Sequence, residues 1–304
     1  MRQLVSALGP AVALAGLAIA GVLTFALATV EPGGPRTAAF IASENYVIWR
    51  LLVVLLVLMS LTTGAAGWAR LTVLRRRYPA ATLTPFLTAL PLGILVTAAL
   101  PWLSQRTPAM TWNMLSVRMA VVAVVVTVAA GPSLAILWMV RERLGRLSPG
   151  DGDQPADRSP GVLIGELLAL RRTAGDAVGV LAAIISLTVV NTGQLRNTYL
   201  AAGASPADVP VTGVILYGAF FAALLAFLYL PVHARWRAGA EALRESLFPI
   251  PPTGRPDADW SDGRQRLSVL LLLDKGVPGV LGGILLVGSP FLVSLVGCFV
   301  PVSR

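Results

Sequence analysis

The sequence predicts an all-α integral membrane protein, a polytopic bundle of about seven transmembrane helices with short amphipathic cytoplasmic helices. Three observations carry that expectation. Of the 304 residues, 56% are hydrophobic and only 13% charged, with a mean hydropathy of +0.75, whereas a soluble domain carries about 25% charge. The charges stand in short blocks between nearly uncharged runs of roughly 20 residues, the length that crosses a hydrocarbon core of about 30 Å. Trp49, Trp68, Trp102, Trp112 and Trp138 fall at the ends of those runs, where indole rings prefer the headgroup layer.

The first apolar run, Leu4 to Val30, contains Ala26-Leu27-Ala28, which imitates a signal-peptidase site. The run exceeds the roughly 7–15 residues of a secretory leader, so an uncleaved signal anchor is expected. Glu31-Pro32-Gly33-Gly34-Pro35 ends it, because proline and glycine do not continue a helix. The second run, Leu51 to Trp68, is entered through Tyr46, Trp49 and Arg50 and leads to Arg70 and Arg75-Arg76-Arg77. The third, Pro85 to Leu103, holds Pro91 and ends at Trp102. The fourth, Met119 to Val140, lies between Arg118 and Arg141-Glu142-Arg143.

Residues 144–160, with Ser148-Pro149-Gly150-Asp151-Gly152-Asp153, Pro155 and Pro160, form a polar, turn-rich linker. It divides a membrane half at residues 1–143, with four spans, from one at residues 161–304, with three. Leu163, Ile164, Leu167, Leu168 and Leu170 beside Glu166, Arg171 and Arg172 predict an interfacial helix, or one that leads directly into the fifth span, Ala174 to Leu195. The sixth span, Val211 to Val232, continues past Pro231 into Ala234–Phe248, where Trp236, Ala240, Leu243 and Leu247 share a face. Arg237 and Glu241 have the i,i+4 spacing of an ion pair. Phe248-Pro249-Ile250-Pro251-Pro252 stops that helix. A last run, Val277 to Val300, crosses as a seventh span, or its Gly282-Gly283, Gly288 and Pro290 turn it back as a re-entrant hairpin.

The net charge of +9 comes from 23 arginines and Lys275 against 15 acids. Counted by alternate loops, 18 of these 24 cations fall at Arg2, 70–77, 141–172 and 235–275. Positive residues stay where translation occurs, so these loops and the N-terminus are expected in the cytoplasm and the C-terminus outside. The Arg, Ala, Gly and Pro bias suggests a bacterial source, hence the inner membrane. The basic balance then reads as attraction to anionic headgroups and topology control rather than nucleic-acid binding.

No catalytic constellation is visible, and no cofactor or metal is expected. His233 and Cys298 are the only residues of their kinds, so neither a thiolate cluster nor an intrachain disulfide is possible. Asp151, Asp153 and Asp157, like Asp257, Asp259 and Asp262, imitate the start of a calcium loop. The twelfth positions, Val162 and Ser268, lack the glutamate such a loop needs. Charges near membrane depth are two. Arg118 is expected to snorkel to the outer headgroups, and Asp176 to be held by Arg172 one turn earlier. Asn191, Thr188 and Ser186 read as interhelical hydrogen-bonding groups. Gly175, Gly179 and Ala183, Gly218, Ala222 and Ala226, and Gly279 with Gly283 form small-residue stripes. Such stripes suit intramolecular packing or a homo-oligomer interface.

Two functions fit this pattern ahead of a third, an enzyme acting on lipid substrates, which lacks a visible acid, base or metal site. The leading one is a non-enzymatic scaffold, sensor or partner-binding subunit, whose amphipathic segments 161–172 and 234–248 contact a protein partner. The alternative is a permease or channel for a small solute. Spans two to four and five to seven then form an inverted repeat, broken at Gly131-Pro132 and Ser289-Pro290.

Overall fold

The computed structural model describes residues 16–29, 34–79, 115–147, 159–251, 257–273 and 287–295. Among these the chain is helical, with no strand. The helices are α1 (Gly16–Leu27), α2 (Pro35–Ala42), α3 (Glu44–Arg77), α4 (Leu115–Arg146), α5 (Pro160–Ala201), α6 (Val211–Leu247), α7 (Ala258–Leu270) and α8 (287–295). Four of them, α3 to α6, are long and apolar enough to cross a membrane. The expected third span, Pro85 to Leu103, lies outside the described residues, as do Trp102, Trp112, Cys298 and most of the 144–160 linker.

The starts and stops follow local chemistry. Ser43 Oγ donates to the Phe40 carbonyl at 2.8 Å, closing α2, and accepts the Tyr46 N–H at 3.2 Å, opening α3. Proline occupies the first turn of α2 and of α5, where its missing N–H costs nothing. Asp257 caps α7 by accepting the Trp260 N–H at 2.7 Å. Pro132 and Pro231 sit inside α4 and α6 without ending them. Each proline takes the helical N–H partner from the carbonyl four residues earlier, Val128 and Phe227, and sets its ring against that carbonyl.

The helices pack around two cores. One joins Leu71 of α3, Ile136, Met139, Val140 and Leu144 of α4, Leu167, Leu170 and Val178 of α5, Trp236 and Ala240 of α6, and Leu267 and Leu271 near α7. The other joins Ala28, Phe40, Tyr46, Trp49, Val53, Val122 and Tyr199. The first lies where α3, α4 and α6 finish and α5 begins, beside Arg75–Arg77, Arg141, Arg143 and Arg146, Arg171 and Arg172, and Arg244. This is the arginine-rich end of the bundle. At the opposite end Gln194 Nε2 donates to Asn45 Oδ1 at 2.9 Å and Arg196 Nε to the Val209 carbonyl at 2.8 Å.

Backbone contact sets the spacing of α3 on α4. A Cβ at Gly64 would stand 2.7 Å from the Ala129 carbonyl oxygen, and one at Gly67 would stand 3.1 Å from Pro132 Cβ. The sequence stripes did not include this pair. At Gly175 and Gly179 a Cβ would meet nothing within 4 Å, so that stripe makes no close helix contact among the described residues. Gly218 does: a Cβ there would stand 2.6 Å from Ser294 Cβ and 2.8 Å from the Pro290 carbonyl oxygen, which seats α8 on α6.

Other expectations are refined. Of the two courses expected for 161–172, the structure takes the second: the segment is the first three turns of α5 and leads directly into the apolar stretch from Ala174. Residues 35–42, between the first two apolar runs, form α2, and the acidic stretch from Asp257 to Asp262 opens α7. Trp49 does not sit at an exposed edge. It is 1% exposed, 6.5 Å from the Phe40 ring and 6.1 Å from that of Tyr46. Trp68, at 62% exposed, does face outward.

Candidate functional site

At the arginine-rich end, polar groups occupy helix faces that are otherwise apolar. Leu163, Glu166, Leu167 and Leu170 recur at helical spacing, so the α5 face that packs inward carries a carboxylate. Glu166 is buried, and its Oε1 accepts from Arg143 Nε of α4 at 2.7 Å. Their side chains are 7% and 19% exposed. Tyr78, which caps α3, hydrogen-bonds to the same carboxylate, and Arg143 lies 5.1 Å from the Tyr78 ring centroid. Burial, and then the Glu166 charge, push the Tyr78 phenol above its ordinary value, while Arg77 and Arg143 pull the other way. One buried carboxylate therefore ties three helices together.

Beside it, Arg171 of α5 stacks on Trp236 of α6, 4.2 Å from the ring centroid. Rings of Tyr229, His233 and Trp236 follow one another at 5.7 and 5.6 Å along α6. Arg235 Nη1 donates to the Arg141 carbonyl at 3.2 Å, which ties α6 to the last turns of α4.

A second network fastens α7 to α6. Glu245 Oε2 accepts from Arg264 Nη1 at 2.9 Å, and its Oε1 accepts from Arg244 at 3.0 Å and from Arg264 Nη2. Arg264 Nη1 also donates to the Phe248 carbonyl at 2.8 Å, and Trp260 Nε1 to that of Pro249 at 2.7 Å. Gly263 leaves room for the Phe248 ring. Arg237 and Glu241 form the expected i,i+4 pair at 2.8 Å on the exposed face.

The residues singled out in the sequence scatter over this frame. Arg118 does not extend freely to solvent; its Nη1 donates to the Thr29 carbonyl just after α1. Arg50 Nη2 donates to the Phe25 carbonyl at 2.9 Å and to Thr29 Oγ1 at 2.8 Å, and Tyr46 Oη donates to the Ala28 carbonyl at 3.2 Å. These donors hold the C-terminus of α1 at the opposite end, beside an open hollow of about 500 Å³ lined by Leu23, Ala26, Leu27, Thr29 and Arg118. Asp176 pairs with Arg70 of α3 at 3.1 Å rather than with Arg172. Gly131 and Pro132 are buried in a continuous helix against α3. Ser289 Oγ lies 3.2 Å from Ser186 Oγ, and Pro290 is buried against Gly218. The two prolines pack on different helices. Asn191 Oδ1, on α5, is buried with no hydrogen-bond partner among the described residues.

Sequence reasoning missed Glu166 and the Arg171–Trp236 stack. The signal for Glu166 was present, because an acid within an apolar stripe implies a partner brought from elsewhere in the fold. The apolar faces of 161–172 and 234–248, expected to meet a partner, meet each other: Ile164, Leu167 and Leu170 share a core with Trp236, Ala240 and Leu243. Compared with known proteins, the chain matches no family model, no curated protein and no solved structure. The described residues are helical and include four helices long and apolar enough to cross a membrane, the class to which fold and site point.

Proposed function

We propose that this protein is a seven-span subunit of a bacterial inner membrane that binds protein partners through a rigid platform at its cytoplasmic, arginine-rich end, and that it is not an enzyme. The observation that carries this reading is helix length. The 42 residues of α5 reach about 63 Å at about 1.5 Å per residue, twice a hydrocarbon core of about 30 Å. The surplus of α5, with the ends of α3, α4 and α6, lies at the arginine-rich end, fastened by Arg143–Glu166 and, through α7, by Arg264–Glu245. The apolar faces there are already occupied, so the surface offered to a partner is the polar outer one, with Arg237 and Glu241 among its exposed groups.

Chain direction supports the span count. α3 finishes at the arginine-rich end and α4 starts at the other, near Thr29, so a third span at 85–103 supplies the return. α8 runs from the level of Ser186 toward that of Gly218, near the start of α6, the course of a last span that crosses. In the permease reading, Asn191 Oδ1 without a partner is the favourable observation. The unbroken course of α4 through Pro132 argues against it.

Extraction in mild detergent followed by affinity purification tests the platform. A partner recovered with the native chain should be lost when Arg237 and Arg266 are changed to Glu. Recovery of a lone chain under several mild conditions overturns the reading. Unimpaired solute flux in reconstituted vesicles of Pro290→Ala and Asn191→Leu would remove the structural motive for the permease reading, and no flux through the native chain would remove the reading itself.

A further inference from the structure

We infer that Arg171 and Trp236 form a binding site for a phosphate group, taken from an anionic phospholipid or from free phosphate. Both side chains carry a donor hidden from solvent that has no acceptor among the described residues: Arg171 Nη1 and Trp236 Nε1. Trp236 is only 3% exposed. The two groups stack at 4.2 Å, so the orphan donors belong to one compact unit bridging α5 and α6. A stacked ring orients a guanidinium but accepts no in-plane hydrogen bond.

The neighbouring carboxylates do not meet this need. Glu166, five residues before Arg171, is held by Arg143, and Asp176, five residues after, by Arg70. Arg172, exposed beside it, adds positive charge. A guanidinium nitrogen and an indole N–H, both shielded and without an acceptor among the described residues, call for an anion with several acceptor oxygens. A phosphate meets that description, and a guanidinium is the side chain best matched to it. Position agrees. Arg171 lies three residues before the apolar stretch of α5 that starts at Ala174, and Trp236 five residues after Pro231. Both therefore fall at headgroup depth on the basic face, where clefts between helices take lipid phosphates. This inference requires membrane insertion but no protein partner, so it stands or falls apart from the platform reading.

The test uses the full chain in two settings. In phosphatidylcholine vesicles, phosphatidylglycerol is titrated in and the thermal unfolding midpoint followed; in an uncharged detergent, inorganic phosphate is titrated at constant ionic strength. A ligand that binds only the folded state raises the midpoint. The native chain should be stabilised, and Arg171→Gln should need about tenfold more ligand or show no response. Trp236→Phe, which keeps the ring and removes the N–H, should respond more weakly than the native chain; Arg172→Gln should respond like it. Stabilisation by phosphatidylglycerol alone assigns the phosphate to lipid, and stabilisation by inorganic phosphate assigns it to a soluble ligand. No shift in either setting overturns the site, as does an equal shift in native chain, Arg171→Gln and Trp236→Phe. Trp236→Phe alone decides the matter should Arg171→Gln fail to fold.

Discussion

Glu166 shows how a single carboxylate can hold helices that the sequence leaves independent. With Arg143 at 2.7 Å and both side chains mostly shielded, removing one member strands the other in low dielectric. Breaking such a pair costs about 3 kcal/mol, whereas replacing both by apolar groups is close to neutral. Glu166→Leu should therefore lower the unfolding midpoint in detergent, and Arg143→Met combined with Glu166→Leu should recover most of the loss. A double variant as unstable as the sum of the single ones would show the pair to be a bystander. Glycines divide in the same way. Gly64→Ala meets the Ala129 carbonyl backbone and should cost about 2 kcal/mol, while Gly175→Ala, with open space around it, should leave the midpoint unchanged. At this scale the sequence was a partial guide. It gave Arg237–Glu241, because both partners lie on one helix, and missed Arg70–Asp176 and Arg143–Glu166, whose partners are 106 and 23 residues apart.

Helices α3 to α6 were legible because lipid permits few ways to satisfy a backbone other than continuous helix. Their cores of low charge could be read without knowing any neighbour. The short helices were hidden for the opposite reason. α2 begins with a proline that follows glycines, and α7 begins in an acidic stretch, so both look like loop until Ser43 and Asp257 are seen as caps. What holds α7 is tertiary, through Arg264, Glu245 and Trp260. Arg264→Met with Trp260→Phe should then raise amide hydrogen exchange across residues 258–270 while leaving 174–190 as slow as before. Equal loss of protection in both regions would mean that α7 is part of the main cooperative unit. α1 gives a second expectation at this scale. Ala28 is fully buried and its carbonyl accepts from Tyr46, so the Ala26-Leu27-Ala28 sequence is built into the packed end of the bundle. N-terminal sequencing of the purified protein should find this helix retained; a chain beginning at Thr29 would refute the signal-anchor reading.

For the whole molecule, charge asymmetry and helix geometry are separate sources of one prediction. Counting cations by loop requires no structure, and tracing α1, α3, α4, α5 and α6 requires no charges. Both assign Arg75–Arg77, Arg141, Arg143 and Arg146, and Arg171 and Arg172 to a single end, with Gln194 and Arg196 at the other. If that end is cytoplasmic, a reporter active only after export should be silent when fused after Leu147 or Phe248 and active after Ala207. Retention comes from cations near span ends, each worth about 1 kcal/mol against an anionic surface. Replacing Arg75, Arg76 and Arg77 together by Gln removes three of them from the end of α3 while leaving Arg143, which contacts Glu166, in place. Because α4 keeps its own cations, the fusion after Leu147 should stay silent and only a fusion placed directly after Tyr78 should gain export activity. The shorter fusion leaves α3 without the helix that packs on it, whereas the longer one retains α4, whose cations and close contacts at Gly64 and Gly67 oppose inversion of α3. Export activity appearing after Leu147 in that variant would show that the α3 cations alone set orientation and that packing of α4 on α3 follows insertion without constraining it.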